Sequence, residues 1–378
     1  MATESLLIFG ASARAAAFSA LRAGLEPWCA DLFGDEDLRA KAPSLRVPAG
    51  AYPQAFLDLV CRELPGPWMF TGGLENHRLL VQEMARRRPL WGNGADALAA
   101  CRSPHRVAAL LAKAGLPYPA LLPADRAPPE GRWLFKPSSG AGGAGIRAAG
   151  KRRGRGYLQE FIEGQSCAAL YVGDGKQARW LGTTRQLVGE NWLHAAPFHY
   201  CGSIGPLLQG PPLRQAFERL GQVLAAGCGL RGLFGIDCVL RDGVPWPVEI
   251  NPRYTASVEV LEHAGGTAAL TPHRRAFETG AQGPAPEPKD PADQFVGKAI
   301  LFARAPLVFP GEGPWRESVG RPGVPDELPA FADIPRAGEM IRKGRPILTF
   351  FARAVSPGAC LDLLMQTARD LDHRLFHQ

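Results

Sequence analysis

The sequence predicts an α/β protein that opens with a doubly wound parallel-sheet domain and closes with a small α/β subdomain. Three observations carry this. Leu6 to Phe9 is an apolar run followed by Gly10-Ala11-Ser12, an alanine-rich stretch to about Ala23 and a second apolar run from Pro27 to Leu32; that is a strand, turn, helix, strand unit. Lys136 leads from a short strand, Trp133 to Lys136, into the glycine loop Pro137 to Gly145. Leu233 to Arg253 reads as two strands around Asp242-Gly243, with Asp237, Glu249 and Asn251 set among apolar residues.

Length and composition frame these elements. A chain of 378 residues exceeds one typical core and suggests roughly two to four compact units. We place them at 1–97, 98–165, 166–290 and 291–378. Hydrophobic residues make up 46% and charged residues 21%, a globular balance that predicts folding throughout. The formal charge of +7 favours anionic ligands in a general way. Its short basic runs, Arg86-Arg87-Arg88 and Lys151-Arg152-Arg153, lack the interleaved aromatic residues that a single-strand surface uses, which argues against nucleic acid. The eight cysteines form no C-x-x-C pair, so buried, reduced thiols in a cytoplasmic protein are expected rather than a zinc module. The N-terminus reads as a first strand rather than a signal peptide, and no apolar run is long enough to span a bilayer.

Taken in order, the first unit resembles a dinucleotide-binding motif in outline, with Asp31 as a tempting ribose ligand. The glycine fingerprint is missing, however, because Gly10 is followed by Ala11, Ser12 and Ala13. Trp68 to Gly73 and Leu90 to Gly92 complete this unit as later strands. Next comes a helix capped by Ser103 with Pro104 at its first position, ending at Gly115. The glycine loop lies between two strands, the second being Ile146 to Ala148, so it is not a P-loop. Its backbone N–H groups suit phosphates, as they suit a plain surface turn. Tyr157 to Gly164 reads as a strand running into a linker. Strands at Ala168 to Val172 and Gln177 to Leu187, a loop from Trp192 to Gly205 suited to substrate, and a helix from Leu213 to Ala226 follow. His194 and His199 have no third ligand nearby to make a metal site. Residues 257–279 are expected to be helical, 280–293 a linker, and the tail carries strands at Val296 to Arg304 and Pro346 to Ala354 before a helix from Ala359 to Leu375.

Asp237, Glu249 and Asn251 offer an oxygen-only ligand set, which suits a hard cation such as Mg2+. Glu249 and Asn251 share one face of their strand. A two-residue turn at Asp242 and Gly243 would place Asp237 opposite Val248, with Glu249 pointing away. A shared site therefore calls for an odd loop, and we expect the three residues Arg241, Asp242 and Gly243. A solvent-facing hairpin with ordinary charges is the alternative at this point.

In order and spacing these segments resemble the ATP-grasp superfamily. Lys136 before the glycine loop looks like its second nucleotide lysine, and Gln159, Glu160, Phe161 and Ile162 look like its adenine linker. Asp237, Glu249, Asn251 and Arg253 look like its magnesium and phosphate cluster, closing with Asn-Pro-Arg. The resemblance implies an ATP-grasp fold after the N-terminal domain, with Ser138, Ser139, Gly140, Gly142 and Gly143 over the phosphates. Where the family usually carries a first lysine, this chain has His105-Arg106; Arg106 keeps the charge on a planar fork. The sequence from Leu233 to Glu259 looks most like the carbamoyl-phosphate-synthetase-like and tyramine–glutamate-ligase-like branch. The resemblance implies ATP with Mg2+, with room for two ions and Mn2+ as a substitute. It also implies ligation of a carboxylate to an amine through an acyl phosphate, with an amino acid such as glutamate and a cofactor precursor as substrates. Arg253 is then the catalytic arginine. Arg185 either holds a substrate carboxylate or makes a structural ion pair. A homodimer is compatible with this reading. Biotin-carboxylase-like carboxylation and a non-catalytic nucleotide-binding module are the alternatives.

Overall fold

The computed structural model describes residues 4–62, 64–128, 130–150, 154–278, 294–320 and 327–376. The basic run at 151–153 and the expected linker at 280–293 lie outside them. The N-terminal unit is a four-stranded parallel sheet in the order Ser44–Arg46, Leu25–Asp31, Glu4–Phe9, Trp68–Phe70. Strand alternation explains its two cores. Leu6 and Ile8 pack with Ala16, Ala17 and Ala20 of the helix Arg14–Arg22. Leu7 and Phe9 face the other way, onto Phe56 and Trp68. Gly10 lets the first strand end against Thr71, whose hydroxyl oxygen would lie 1.9 Å from an added Cβ. Asp31 is no ribose ligand here. Its carboxylate accepts hydrogen bonds from the backbone N–H groups of Ala13, Phe33 and Gly34, at 2.9, 3.1 and 2.8 Å, and so closes the turn. The stretch around Leu90 contributes only a single bridge to Trp68.

A second, antiparallel sheet of four short strands follows in the order Leu121–Pro123, Gly156–Glu160, Trp133–Pro137, Arg147–Ala148. The largest sheet has eight strands. Its order is Val244–Asn251, Arg231–Arg241, Gln165–Asp174, Ala178–Val188, Tyr200–Gly205, Phe295–Phe302, Pro346–Ala354, Phe331–Ala332. Two expectations change here. Tyr200–Gly205, expected within a loop, is an interior strand; its two glycines and serine lower the usual strand signal, yet Ser203 is satisfied by Tyr200 and Ser257 at 2.9 Å each. The C-terminal strands, expected as a small α/β subdomain, extend this same sheet by pairing Phe295–Phe302 with Tyr200–Gly205.

Helix Pro211–Cys228 covers one face of the large sheet through Phe217, Leu220 and Leu224, against a stacked Tyr171 and Phe234 pair. Helix Pro357–Phe376 covers the C-terminal strands through Cys360, Leu364, Ala368 and Leu371. The expected helix over 257–279 is two, Ala256–Gly265 and Leu270–Arg275, interrupted at Gly266, whose φ is +65°. A buried charge network ties the units together. Arg14 pairs with Glu259, with Asp333 at 3.1 Å and with Asp37 at 3.6 Å, and Lys298 reaches Glu259 at 2.8 Å.

Candidate active site

The hairpin Arg231–Arg241 and Val244–Asn251 brings the carboxylates together by a different device from the expected loop. Arg241 pairs with Val244 across a two-residue turn, in which Asp242 and Gly243 have φ of +51° and +74°. Both positive values fit the tight hairpin turn that Asp-Gly favours. Counted from that turn, Cys238 pairs with Pro247, but Asp237 pairs with Glu249. Val248 is the extra residue of a β-bulge. The bulge supplies the change of parity, beside Pro247, which has no N–H for the ladder.

Around Asp237 the polar groups interlock. Asn251 Nδ2 donates to Asp237 Oδ2 at 2.9 Å, and Gln186 Nε2 donates to Oδ1 at 3.0 Å. Arg253 donates to Asn251 Oδ1 at 3.0 Å and to Glu75 at 2.8 Å, which reaches over from the N-terminal unit. Burial, then the charge of Glu249, pushes the Asp237 carboxyl up to about 6. Asp237 and Glu249 adjoin with oxygen donors that fit a hard cation. Among the described residues no group of three His, Cys, Asp or Glu side chains forms a metal site; the ligand set is two carboxylates and an amide.

Lys136 lies across from them, buried, donating to the Val248 carbonyl at 2.8 Å and to Gln159 Oε1 at 3.2 Å. Burial lowers its pKa, while Glu249 and Asp237 raise it. A cavity runs between Lys136, Ser138, Gly140, Gly143 and Tyr157 on one side and Val248 and Glu249 on the other. The glycine loop above it is anchored at both ends. Asn76 exchanges two hydrogen bonds with the Gly140 backbone, at 3.2 and 3.3 Å. Tyr200 N donates to Gly142 O at 3.2 Å. Gly143 has φ +86°, and a Cβ there would lie 1.9 Å from the Phe198 carbonyl oxygen.

Other expected residues fall outside this cavity. Arg106 is exposed and donates to the Gly227 carbonyl at 3.1 Å. Arg102, four residues earlier and just past the end of helix Ala95–Cys101, lines the cavity instead and stands 3.6 Å from Glu249. Ser139 and Gly142 are in the loop but not in the lining. Gln159 is buried against Lys136, with its Nε2 unpartnered. Glu160 accepts from Ala120 N at 3.1 Å, Phe161 lies under the Arg132 guanidinium, and Ile162 is buried. Arg185 is in register with Cys167 and Ile204, which belong to the helix-covered cores, so alternation turns it away from Asp237. The adjacent Gln186 takes that place. His194 pairs with Asp372 at 2.8 Å. Sequence reasoning missed Arg102, Gln186, Glu75 and Tyr157; only period-two counting from Asp237 across the sheet would have found Gln186, and it needs a register that sequence does not supply.

Comparison with known proteins fits this geometry. Residues 103–257 match the ATP-grasp domain family. Over 198 residues, 52% of this chain and 42% of the relative, the sequence is 26% identical to an uncharacterized protein of Methanocaldococcus jannaschii. It is 30% identical over 110 residues to the carbamoyl phosphate synthase large chain of Micrococcus luteus, covering 29% of this chain and 9% of that one. The chain thus spans less than half the length of these curated relatives. The L-amino acid ligase of Bacillus licheniformis has a similar fold, with a TM-score of 0.71 and 17% identity over 98% of both chains. The glycine loop, Lys136 and the Asp237–Glu249 pair all lie inside the segment that matches the ATP-grasp domain family.

Proposed function

We propose that this protein is an ATP-dependent carboxylate–amine ligase working through an acyl phosphate. The observation that carries the reading is the bulged hairpin, which sets Asp237 opposite Glu249 with Lys136 hydrogen-bonded to the bulge itself. Asp237, Glu249 and, once its amide turns, Asn251 Oδ1 would hold Mg2+, which supplies charge neutralisation for the phosphates of ATP. Lys136 and Arg102 add positive charge along the same cavity, which Gly140 and Gly143 also line.

Arg253 is held in place by Glu75 and Asn251, and the charge of Glu75 helps raise its pKa. Fixed and fully protonated, it would stabilise the phosphoryl group during attack by a substrate carboxylate oxygen on the γ-phosphorus, as the β–γ oxygen bond breaks and ADP leaves. It would serve again as the amine attacks the acyl carbon and phosphate departs. Gln186, hydrogen-bonded to Asp237, would help hold that carboxylate toward the metal. The loop from Gly140 to Gly143 would keep water from the acyl phosphate.

A panel of carboxylates and amines, scored for ADP release with ATP and Mg2+, tests the reading. Release that needs both substrates, and that disappears in Glu249→Gln with Asn251→Ala, supports it. Nucleotide binding with no turnover on any pair would instead favour a binding module.

A further inference from the structure

The turn Leu74–Asn76, which follows the strand Trp68–Phe70, holds two parts of the candidate active site that lie far apart in sequence. It is rooted in the N-terminal unit. Leu74 is wholly buried in the core of Phe56 and Trp68, and Ala11 N donates to Gly72 O at 2.8 Å. Gly73, at φ +101°, lies so close to the Tyr52 hydroxyl that a Cβ there would strike it. From this fixed base two consecutive side chains reach different partners. Glu75 accepts from Arg253 at 2.8 Å. Asn76 turns its amide to the glycine loop, where Nδ2 donates to Gly140 O at 3.2 Å and Oδ1 accepts from Gly140 N at 3.3 Å. The same Oδ1 accepts from Arg102, whose guanidinium stands 3.6 Å from Glu249. Arg102 offers donors alone, so it fixes which end of the amide faces it and leaves Nδ2 for the Gly140 carbonyl.

We propose that Asn76 is a positioning residue that fastens the glycine loop over the nucleotide cavity, so that one turn of the N-terminal unit sets both the loop and Arg253. Gly142, Gly143 and Gly145 all have positive φ, and glycines do little by themselves to hold a loop in one conformation. Two hydrogen bonds to a rigid anchor offset that freedom. The anchor needs a donor and an acceptor on one short planar group, which asparagine has; an aspartate would set a carboxylate oxygen against the Gly140 carbonyl. How the loop is held stands apart from the ligase reading, and only the effect on turnover rests on it.

Hydrogen exchange followed by mass spectrometry, on the full chain without nucleotide, reads the loop directly. In Asn76→Ala and in Asn76→Asp, the peptide spanning Pro137 to Gly145 should exchange about five-fold faster or more, the scale of lost hydrogen bonds, while the strand Glu4–Phe9 keeps its protection. Unchanged loop exchange in either variant would overturn the proposal. So would loss of protection in Glu4–Phe9 as well, since Asn76 would then be a support of the N-terminal sheet. Turnover supplies a readout that a structural defect leaves alone. With a substrate pair that supports amide formation, both variants should release about two-fold or more ADP per amide, because water reaches the acyl phosphate through the loosened loop. A fall in ADP and amide together, at an unchanged ratio, would count against a positioning role. Faster loop exchange with no turnover on any pair in the unmutated chain would uphold the fastening and defeat the ligase reading.

Discussion

The Lys136 ammonium donates to the carbonyl oxygen of Val248, 2.8 Å away, so the residue bulged out of the hairpin is also the residue that holds the lysine. One local irregularity thereby aligns two carboxylates and orients a cation opposite them. Deleting Val248 would restore a regular ladder that keeps Glu249 opposite Asp237 but removes the bulged carbonyl that holds Lys136. The deletion should lower ADP release by about 100-fold or more, the scale of losing one electrostatic stabiliser. Val248→Ala keeps the backbone and should stay within about three-fold of the unmutated rate, since surface substitutions outside such features have small effects. Equal losses from both changes would show that the Val248 side chain matters and the bulged backbone does not.

Arg102 and Arg106 are four residues apart, yet only Arg102 borders the cavity. Arg102→Ala should raise the KM for ATP about ten-fold or more, equivalent to about 1.4 kcal/mol. Arg106→Ala should leave it within about two-fold, because an exposed contact to a carbonyl contributes little. Initial rates over a series of ATP concentrations decide between them; the reverse ranking would return the phosphate role to Arg106.

The Asp237 carboxyl titrates in the folded chain at about 6, above its ordinary value of 3.8. Its ionised form therefore costs stability, fully above pH 6 and not at all below 3.8, the cost fading as pH falls between the two. Two units correspond to about 2 kcal/mol after allowance for partial exposure. Without metal, Asp237→Asn should melt higher than the unmutated chain at pH 7.5, and the two curves should converge as the pH approaches 4. Scanning calorimetry across that range checks the sign. In the unmutated chain, Mg2+-dependent ATP binding should weaken as pH drops below about 6, because the proton and the metal compete for the same carboxylate.

Arg14 is wholly buried among Glu259, Asp333 and Asp37. Arg14→Met would leave those acids with Lys298 as their remaining close cation. A loss of about 3–5 kcal/mol is expected, as for one partner removed from a buried ion pair. Chemical denaturation at pH 7.5 measures it, and a loss below about 1 kcal/mol would mean that water reaches the network.

Much of the fold was legible because its signals are local. The apolar runs at Leu6 to Phe9 and Pro346 to Ala354 and the Ser103-Pro104 helix start each depend on a few neighbouring residues and appear where expected, and the chain turns at Asp242-Gly243, though in two residues rather than three. What the sequence left hidden depends on partners far along the chain. The Val248 bulge is set by the pairing of both strands, and the approach of Glu75 to Arg253 joins residues 178 positions apart. Arg106 stood out as a cation near a helix start, whereas Arg102 sits just past the end of helix Ala95–Cys101, and only the tertiary packing brings it to Glu249. Tyr200–Gly205 stayed hidden because Gly202 and Gly205 are there for close approach, with Lys298 O 2.2 Å from a Cβ built on Gly202.

The continuation of the large sheet past the ATP-grasp segment bears on how this protein can be taken apart. A fragment ending near residue 257 would strip the partner from Tyr200–Gly205 and bare a row of backbone donors and acceptors along a strand whose glycines offer little cover. It would also lose Lys298 and Asp333, leaving Glu259 or Arg14 without balance wherever they remained. The segment recognisable by descent is therefore not a separable module. Its cut edge would be a template for self-association, and swapping it into another scaffold would require grafting Phe295–Phe302 along with it.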